Sequence, residues 1–376
     1  MTESEKICND IGAKFFCKDF VYQNLKYRDS KNNKIELCDG LFEYCKNYVA
    51  LQVKERSKDT YGKSEESWLK DVVYGTAVEQ ILKTIDGVKN NKIIVRDMYQ
   101  QKVELHKEYS VYPVIIFDNK KIDEYKKIVE INGLKINVFK LDDYEQMMNI
   151  LIHPFDILDY LQERTRMLKS SLPNFVFGET GGLSIIAHIN SEKDFSAFFL
   201  NYVYEGDINK QNAALRLLNI IDKFRKTQSK VNSDYKKLLH ILQMIEPKCA
   251  EGFMERFGYA MNKARENKFD ITKTIQLIYE NKKTGITFCS VGSQPIKKSY
   301  YEVICDAKQL QYSSDIVMLI AFTCNNKDIL IDWVYYDKDI NPDEKVKAMF
   351  DNFGMYNGTI DKGTFVELCS NIKSLN

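Results

Sequence analysis

The sequence predicts two domains of mixed α/β class. Its 376 residues exceed one ordinary domain and fall short of three, at roughly 150 residues per domain. Apolar residues make up 44% and charged residues 28%, which is enough to fill packed cores and too apolar for a disordered chain. Along the chain, segments of helical period alternate with short apolar runs of strand length.

Residues 1–28 read as a helix and a turn, because Ile7, Ile11 and Phe15 recur at helical spacing with Cys8 and Phe16 beside them. Asp29-Ser-Lys-Asn-Asn is a turn cluster. Residues 34–44 and 48–56 then read as two strands joined through Cys45-Lys-Asn, a hairpin. A polar loop covers 57–66. Trp68, Val72, Val73, Thr76, Ala77, Gln80, Ile81 and Ile85 mark the next helix, with Gly87 as its stop. Strands are expected at 92–96, 112–117 and 136–139, and helices at 142–150 and 154–169. Pro154 suits a first helical turn, where its missing N–H leaves nothing unpaired.

A domain boundary is expected near Ser170, dividing the chain into 1–170 and 171–376. The second part reads as strands at 175–177, 184–189, 285–291, 300–305, 316–324 and 329–336, with helices at 212–227, 234–245, 251–265, 273–279 and 343–353. No internal repeat is visible.

Several function classes are disfavoured. The nine cysteines include no C-x-x-C pair and are odd in number, unlike a zinc knuckle or a disulfide framework. The four histidines show no H-x-x-x-H spacing. Gly178-Glu-Thr-Gly-Gly lacks the G-K-[ST] ending of a phosphate-binding loop. The longest apolar runs fall far short of the about 20 residues a membrane span needs. The opening Met-Thr-Glu-Ser-Glu-Lys has no apolar signal-peptide core, so a cytoplasmic protein without a membrane partner is expected. With 54 basic against 53 acidic residues, the net charge of +1 neither announces nor excludes a nucleic-acid partner.

The chemistry concentrates in E-L-C-D-G-L-F-E-Y-C-K-N-Y-V-A-L-Q-V-K-E-R, residues 36–56. Asp39 stands in the first hairpin strand, and Gln52 and Lys54 in the second. Period two puts Gln52 and Lys54 on one face, and the hairpin folds Asp39 across to them. A carboxylate, an amide oxygen and the Val53 carbonyl are oxygen donors suited to Mg²⁺. A lysine beside them suits the charge that builds on a phosphate. The bland alternatives are an Asp39-Gly40 turn and a solvated strand edge at Lys54-Glu55-Arg56. A bare amide at Gln52, inside an apolar strand, calls for a partner.

This D-x₁₂-Q-x-K pattern on a helix–strand–strand–helix–strand frame resembles the PD-(D/E)xK, restriction-endonuclease-like nuclease superfamily, and within it members in bacterial restriction and anti-phage defence proteins. The resemblance covers about the first 100 residues closely. It implies an αβββαβ core followed by a mixed α/β sensor, regulatory or partner-binding domain. It implies a DNA endonuclease using Mg²⁺ or Mn²⁺, with Asp39, Gln52 and the Val53 carbonyl as ligands and Lys54 as the catalytic lysine. Further acids would be Glu5 or Asp10 in the first helix, or Glu36 in an E-x-x-D arrangement. Cys38 stands where the motif has Pro, and Gln52 where it has an acid. Those departures leave open an inactive nuclease fold that binds DNA or protein within a defence complex. A homodimer would supply two sites for two strands.

Overall fold

The computed structural model describes residues 2–16, 18–28, 34–56, 62, 64–90, 93, 95–96, 102–168, 175–180, 183–227, 233–293, 296–326, 328–338, 344–356 and 360–373. The chain is mixed α/β, as expected. It divides into two compact units, Met1–Arg225 and Lys226–Asn376.

The first unit opens with α1 (Glu3–Phe15), started by a capping box in which Thr2 and Glu5 satisfy each other's backbone N–H groups. Three strands follow, β1 (Val21–Arg28), β2 (Lys34–Tyr44) and β3 (Asn47–Glu55), each antiparallel to the next. The chain then returns through α2 (Glu65–Trp68), a π-helical stretch (Leu69–Ala77) and α3 (Val78–Lys89). After a small ribbon, β4 (Val95–Arg96) with β5 (Lys102–Val103), strand β6 (Ser110–Asp118) lies parallel to β3. The hairpin of β7 (Ile128–Ile131) and β8 (Leu134–Lys140) completes a six-stranded sheet of order β1-β2-β3-β6-β8-β7. Its central strands are buried on both faces, which is why β3 and β6 read as near-continuous apolar runs. Leu51, Val53 and Ile116 pack with α1 residues Cys8 and Phe15 on one face. Tyr48, Ala50, Ile115 and Phe117 pack with Trp68, Val73 and Ile81 on the other.

Two sequence readings are corrected here. Residues 21–28 form β1, not a helix and turn. A register shift between Leu25 and Lys26 breaks the alternation that would have marked a strand. The strand expected at 92–96 shrinks to β4, outside the main sheet; residues 92 and 94 lie outside the described residues, as does most of the loop at 57–66.

The first unit continues past Ser170, and the boundary read from sequence falls too early. Helices α4 (Leu141–Leu151) and α5 (Pro154–Met167) are followed by a two-stranded ribbon, β9 (Phe175–Thr180) with β10 (Leu183–His188), then α6 (Glu192–Val203) and α7 (Ile208–Thr227). Phe195, Phe199, Leu200 and Tyr204 belong to the same apolar cluster as Phe42, Leu51 and Phe139. The first core is therefore incomplete without α6.

One acid in this core should give a pH signature. Asp156 of α5 is 2% exposed; its Oδ2 accepts from Tyr204 Oη at 2.7 Å, while its buried Oδ1 has no hydrogen-bond partner. Burial pushes its carboxyl up to about 7, against the lowering effect of the Tyr204 bond. A raised acid holds its proton in the folded state, so its contribution is full below the unfolded value and declines as pH rises toward about 7. Asp156→Asn should flatten this decline, removing on the order of 1–3 kcal/mol of pH dependence between mildly acidic and neutral pH. Urea unfolding across that window measures it.

The second unit contains α8 (Ser233–Gln243), α9 (Pro247–Arg265), β11 (Phe269–Ile271), β12 (Ile275–Tyr279), β13 (Lys282–Gly292), α10 (Lys298–Tyr312), β14 (Ile316–Asn325), β15 (Asp328–Tyr336), α11 (Glu344–Asn352) and α12 (Lys362–Lys373). Strands β13 and β14 are parallel and joined through α10; β11, β12 and β15 run antiparallel to their neighbours. Residues 300–305, read as a strand, lie in α10. Tyr300, Tyr301, Val303, Ile304 and Cys305 are all buried, and Glu302 alone faces solvent within this window, too little to reveal the helical period. Residues 273–279, read as a helix, contain β12 instead, where Ile275, Leu277 and Tyr279 alternate in burial with Gln276 and Ile278. No helix among the described residues is long and apolar enough to cross a membrane.

Candidate active site

The β2–β3 hairpin turns at Cys45 and Lys46, both with positive φ (45° and 62°), the conformation a two-residue hairpin turn requires. From there the strands pair regularly, from Tyr44↔Asn47 to Gly40↔Leu51. Asp39 and Gln52 come next, directly opposite each other. At this point side chains replace the ladder. Asp39 Oδ2 accepts from Gln52 Nε2 at 2.6 Å and from the Val53 N–H at 2.6 Å. Asp39 is 5% exposed and Gln52 1%. Asp39 therefore lies inside a strand, and the turn alternative is excluded. Gly40 permits the close approach of α1, since a Cβ there would sit 2.8 Å from Asn9 Oδ1. Asn9 Nδ2 in turn donates to the Asp39 carbonyl at 3.2 Å.

Lys54 follows Gln52 by two residues on the half-buried end of β3, opposite Phe117 of β6. It shares the face of Tyr48, Ala50 and Gln52. The first-helix acids are placed elsewhere. Helix α1 packs with Leu51 and Val53, on the opposite face. Glu5 Oε2 accepts from the Thr2 N–H at 2.8 Å, closing the capping box, and Asp10 points to solvent. The Glu36 side chain lies outside the described residues.

The pairing of β3 with β6 assembles a second polar group that sequence reasoning missed. Glu55 and Asp118 stand opposite each other at the ends of these parallel strands. Ser4 Oγ lies 2.9 Å from Glu55 Oε2 and 3.0 Å from Asp118 Oδ2, and the Ser4 N–H donates to Glu55 at 3.2 Å. Burial first, then the charges of Glu145, Asp39, Asp118 and Glu5, push the nearby Cys8 thiol well above its usual range. Glu145 is itself raised, by burial and then by Asp142 and Asp118. Glu55 and Asp118, with Arg56, Glu65, Asn119, Lys120 and Lys121, line a cleft of about 430 Å³. Arg56 Nη1 pairs with Glu65, and Asn119 Nδ2 donates to the same oxygen at 2.5 Å. Partial burial raises the Glu65 carboxyl, but the bonds from Asn119 and Arg56 outweigh it and hold the group below its ordinary value. The one available signal was an acid at the end of each apolar run, V-A-L-Q-V-K-E and V-I-I-F-D.

Among the described residues, no three His, Cys, Asp or Glu side chains converge on one point. The donor set at Asp39 is leaner: one carboxylate, the Gln52 amide oxygen and the Val53 carbonyl. The Val53 N–H points at Asp39, and a strand residue's carbonyl points with its N–H. Gln52 Oε1 is buried without a hydrogen-bond partner, as befits an oxygen awaiting a ligand. Three hard oxygen donors fit Mg²⁺, which commonly takes one or two carboxylates and keeps its waters. The fit requires one rearrangement: the Gln52 amide must turn, so that Oε1 replaces Nε2 beside Asp39. Compared with models of known protein families, with curated proteins and with solved structures, the chain shows no match.

Proposed function

We propose that the Met1–Arg225 unit is a metal-dependent nuclease domain of the PD-(D/E)xK kind, hydrolysing DNA phosphodiester bonds as an effector of bacterial anti-phage defence. The observation that carries this reading is the direct Asp39–Gln52 contact where the β2–β3 ladder opens, with Lys54 next on the same face. The order of elements supports it: a helix, three antiparallel strands, a helical return and a strand parallel to the third. Bound Mg²⁺ or Mn²⁺ would neutralise phosphate charge and lower the pKa of a coordinated water. The chain's own residues supply the rest. The Val53 N–H holds the Asp39 carboxylate in place, and that bond is kept when the Gln52 amide turns. Lys54 brings a compact positive charge to the oxygens on which charge builds.

A second reading has its own observation. With Nε2 on Asp39, Gln52 makes the contact complete without a cation, as suits a nuclease fold that only binds DNA or a protein partner. Cleavage of supercoiled plasmid and of single- and double-stranded oligonucleotides separates the two, run with Mg²⁺, Mn²⁺ and EDTA. Metal-dependent cutting that falls by about a hundredfold in Lys54→Ala, the scale of losing one charge-stabilising group, is the expected result. An absence of cutting together with a melting temperature indifferent to Mn²⁺ would favour the binding protein.

A further inference from the structure

The open edges of the two main sheets are treated differently. An edge strand leaves unpaired N–H and C=O groups that template pairing with another chain, and proteins blunt such edges with short strands, bulges, prolines or charges. In the first unit, β1 carries a register shift between Leu25 and Lys26, and β7 has only four residues. In the second unit, one edge is broken into β11, of three residues, and β12, of five.

The other edge of the second unit has no short strand, bulge or proline, and its charges are two aspartates, Asp328 at its start and Asp332 within it. All nine residues of β15 pair with β14 without a register shift. Its sequence, D-I-L-I-D-W-V-Y-Y, holds no Pro, Lys or Arg. Leu330 is 53% exposed and Ile331 38%, and successive residues point to opposite faces, so apolar surface shows on both sides of the strand. Its neighbour β14 is buried from Ile316 to Thr323. Among the described residues, no strand pairs with the open side of β15.

We propose that β15 pairs antiparallel with β15 of a second copy of this chain, about a two-fold axis through Trp333. The argument is one of register. In an antiparallel pair, two opposite residues either both turn their hydrogen-bonding groups toward the partner or both turn them away. Two copies of one strand can therefore meet only about a residue, never between two. An axis through Asp332 would set two carboxylates face to face, which is destabilising. An axis through Ile331 would end with 328 against 334 and leave Tyr335 and Tyr336 unmatched. An axis through Val334 would set Leu330 and Ile331 beyond the end of the partner strand at Tyr336.

The axis through Trp333 keeps Asp332 away from its own copy and matches the apolar area. It sets Leu330 against Tyr336, Ile331 against Tyr335 and Trp333 against its own copy. Both exposed aliphatic side chains meet aromatic ones, twice over by symmetry. Aromatic pairs with large aliphatic or aromatic partners are among the favourable cross-strand combinations. The same pairing occupies the one regular edge of the two main sheets that is left unpaired among the described residues. It does not rest on the nuclease reading.

Sedimentation velocity of the full chain should show a dimer, and Leu330→Lys should weaken it at least about tenfold, since a lysine directed at an apolar cross-strand partner loses that contact. Trp333→Cys should form a disulfide-linked dimer on mild oxidation, because opposite Cα atoms at about 4.5–5.5 Å lie within disulfide reach. Asp332→Cys should not, because its copies are diagonal and about 7–8 Å apart. Wild-type chain sets the baseline for the natural cysteines, and circular dichroism checks that each variant folds. A wild-type chain that sediments as a monomer overturns the proposal. So does a dimer that cross-links at 332 and not at 333, or one indifferent to Leu330→Lys.

Discussion

Glu192→Ala should destabilise the first unit by about 3–5 kcal/mol, the cost of stranding a buried charge, seen as a large fall in the urea midpoint of the full chain. Arg164 and Glu192 have fully buried side chains. Their contact is bidentate: Nε lies 2.6 Å from Oε1 and Nη2 lies 3.2 Å from Oε2. The remaining guanidinium protons go to the Lys127 carbonyl at 2.8 Å, Asn137 Oδ1 at 3.1 Å and the Val138 carbonyl at 3.0 Å. Tyr160 Oη donates to Glu192, and the guanidinium stacks 4.0 Å from the Phe139 ring centroid. Burial alone would pull the Arg164 pKa down, but Glu192 outweighs it and holds the group above its ordinary value.

The loss comes from stranding the arginine, not from any large net worth of the pair, because desolvation offsets most of the attraction. Replacing both partners should show this: Arg164→Met with Glu192→Leu should cost far less than Glu192→Ala alone. Equal losses in the two variants would mean that the pair itself, and not the stranded charge, sets the stability.

The same pair explains why the domain boundary was illegible. Glu192 lies beyond Ser170, so a chain cut there leaves Arg164 buried without its partner and Tyr160 without Phe195 and Phe199, whose ring centroids each lie 5.4 Å from its own. Nothing local in the sequence marks that dependence. A polar, Pro-containing segment reads as a linker whether or not the next helix returns to the same core. Strand pairing has the same limit. Asp39, Gln52 and Lys54 were legible because a hairpin is local and alternation has a fixed period. Glu55, Asp118 and Ser4 were not, because they meet only through the parallel pairing of β3 with β6, across the whole helical return. Glu5 illustrates a competition between two readings of one residue. Thr2-Glu3-Ser4-Glu5 is a capping-box signature, and the structure uses Glu5 for that local bond. Helix α10 was lost for the opposite reason, since five of the six residues 300–305 are buried and that window is too short to show the half-buried stripe of Glu302, Asp306 and Leu310.

Gln52→Glu should turn a contact that is complete without metal into one that requires metal. The wild-type amide donates to Asp39 Oδ2 at 2.6 Å in a pocket where neither side chain is more than 5% exposed. A glutamate there removes the donor and sets two carboxylates in contact. Buried like charges at that separation cannot both ionise, so one proton is retained and its pKa rises. The sign of the pH effect follows: a raised acid is satisfied at low pH, and stability is lost as pH climbs through its folded value. In EDTA at neutral pH the variant should be about 2–4 kcal/mol less stable than wild type, the scale of a like-charge pair held in a buried site. It should recover on acidification. Mn²⁺ or Mg²⁺ should restore it at neutral pH, with a larger rise in melting temperature than in wild type, because the new carboxylate and Asp39 both face the cation. Asp39→Ala should abolish the rise in either background. If instead acid restores the variant and divalent ions do not, the two carboxylates share a proton but no cation enters between them. Gln52 would then be a structural lock on Asp39, and the nuclease reading would lose the site on which it stands.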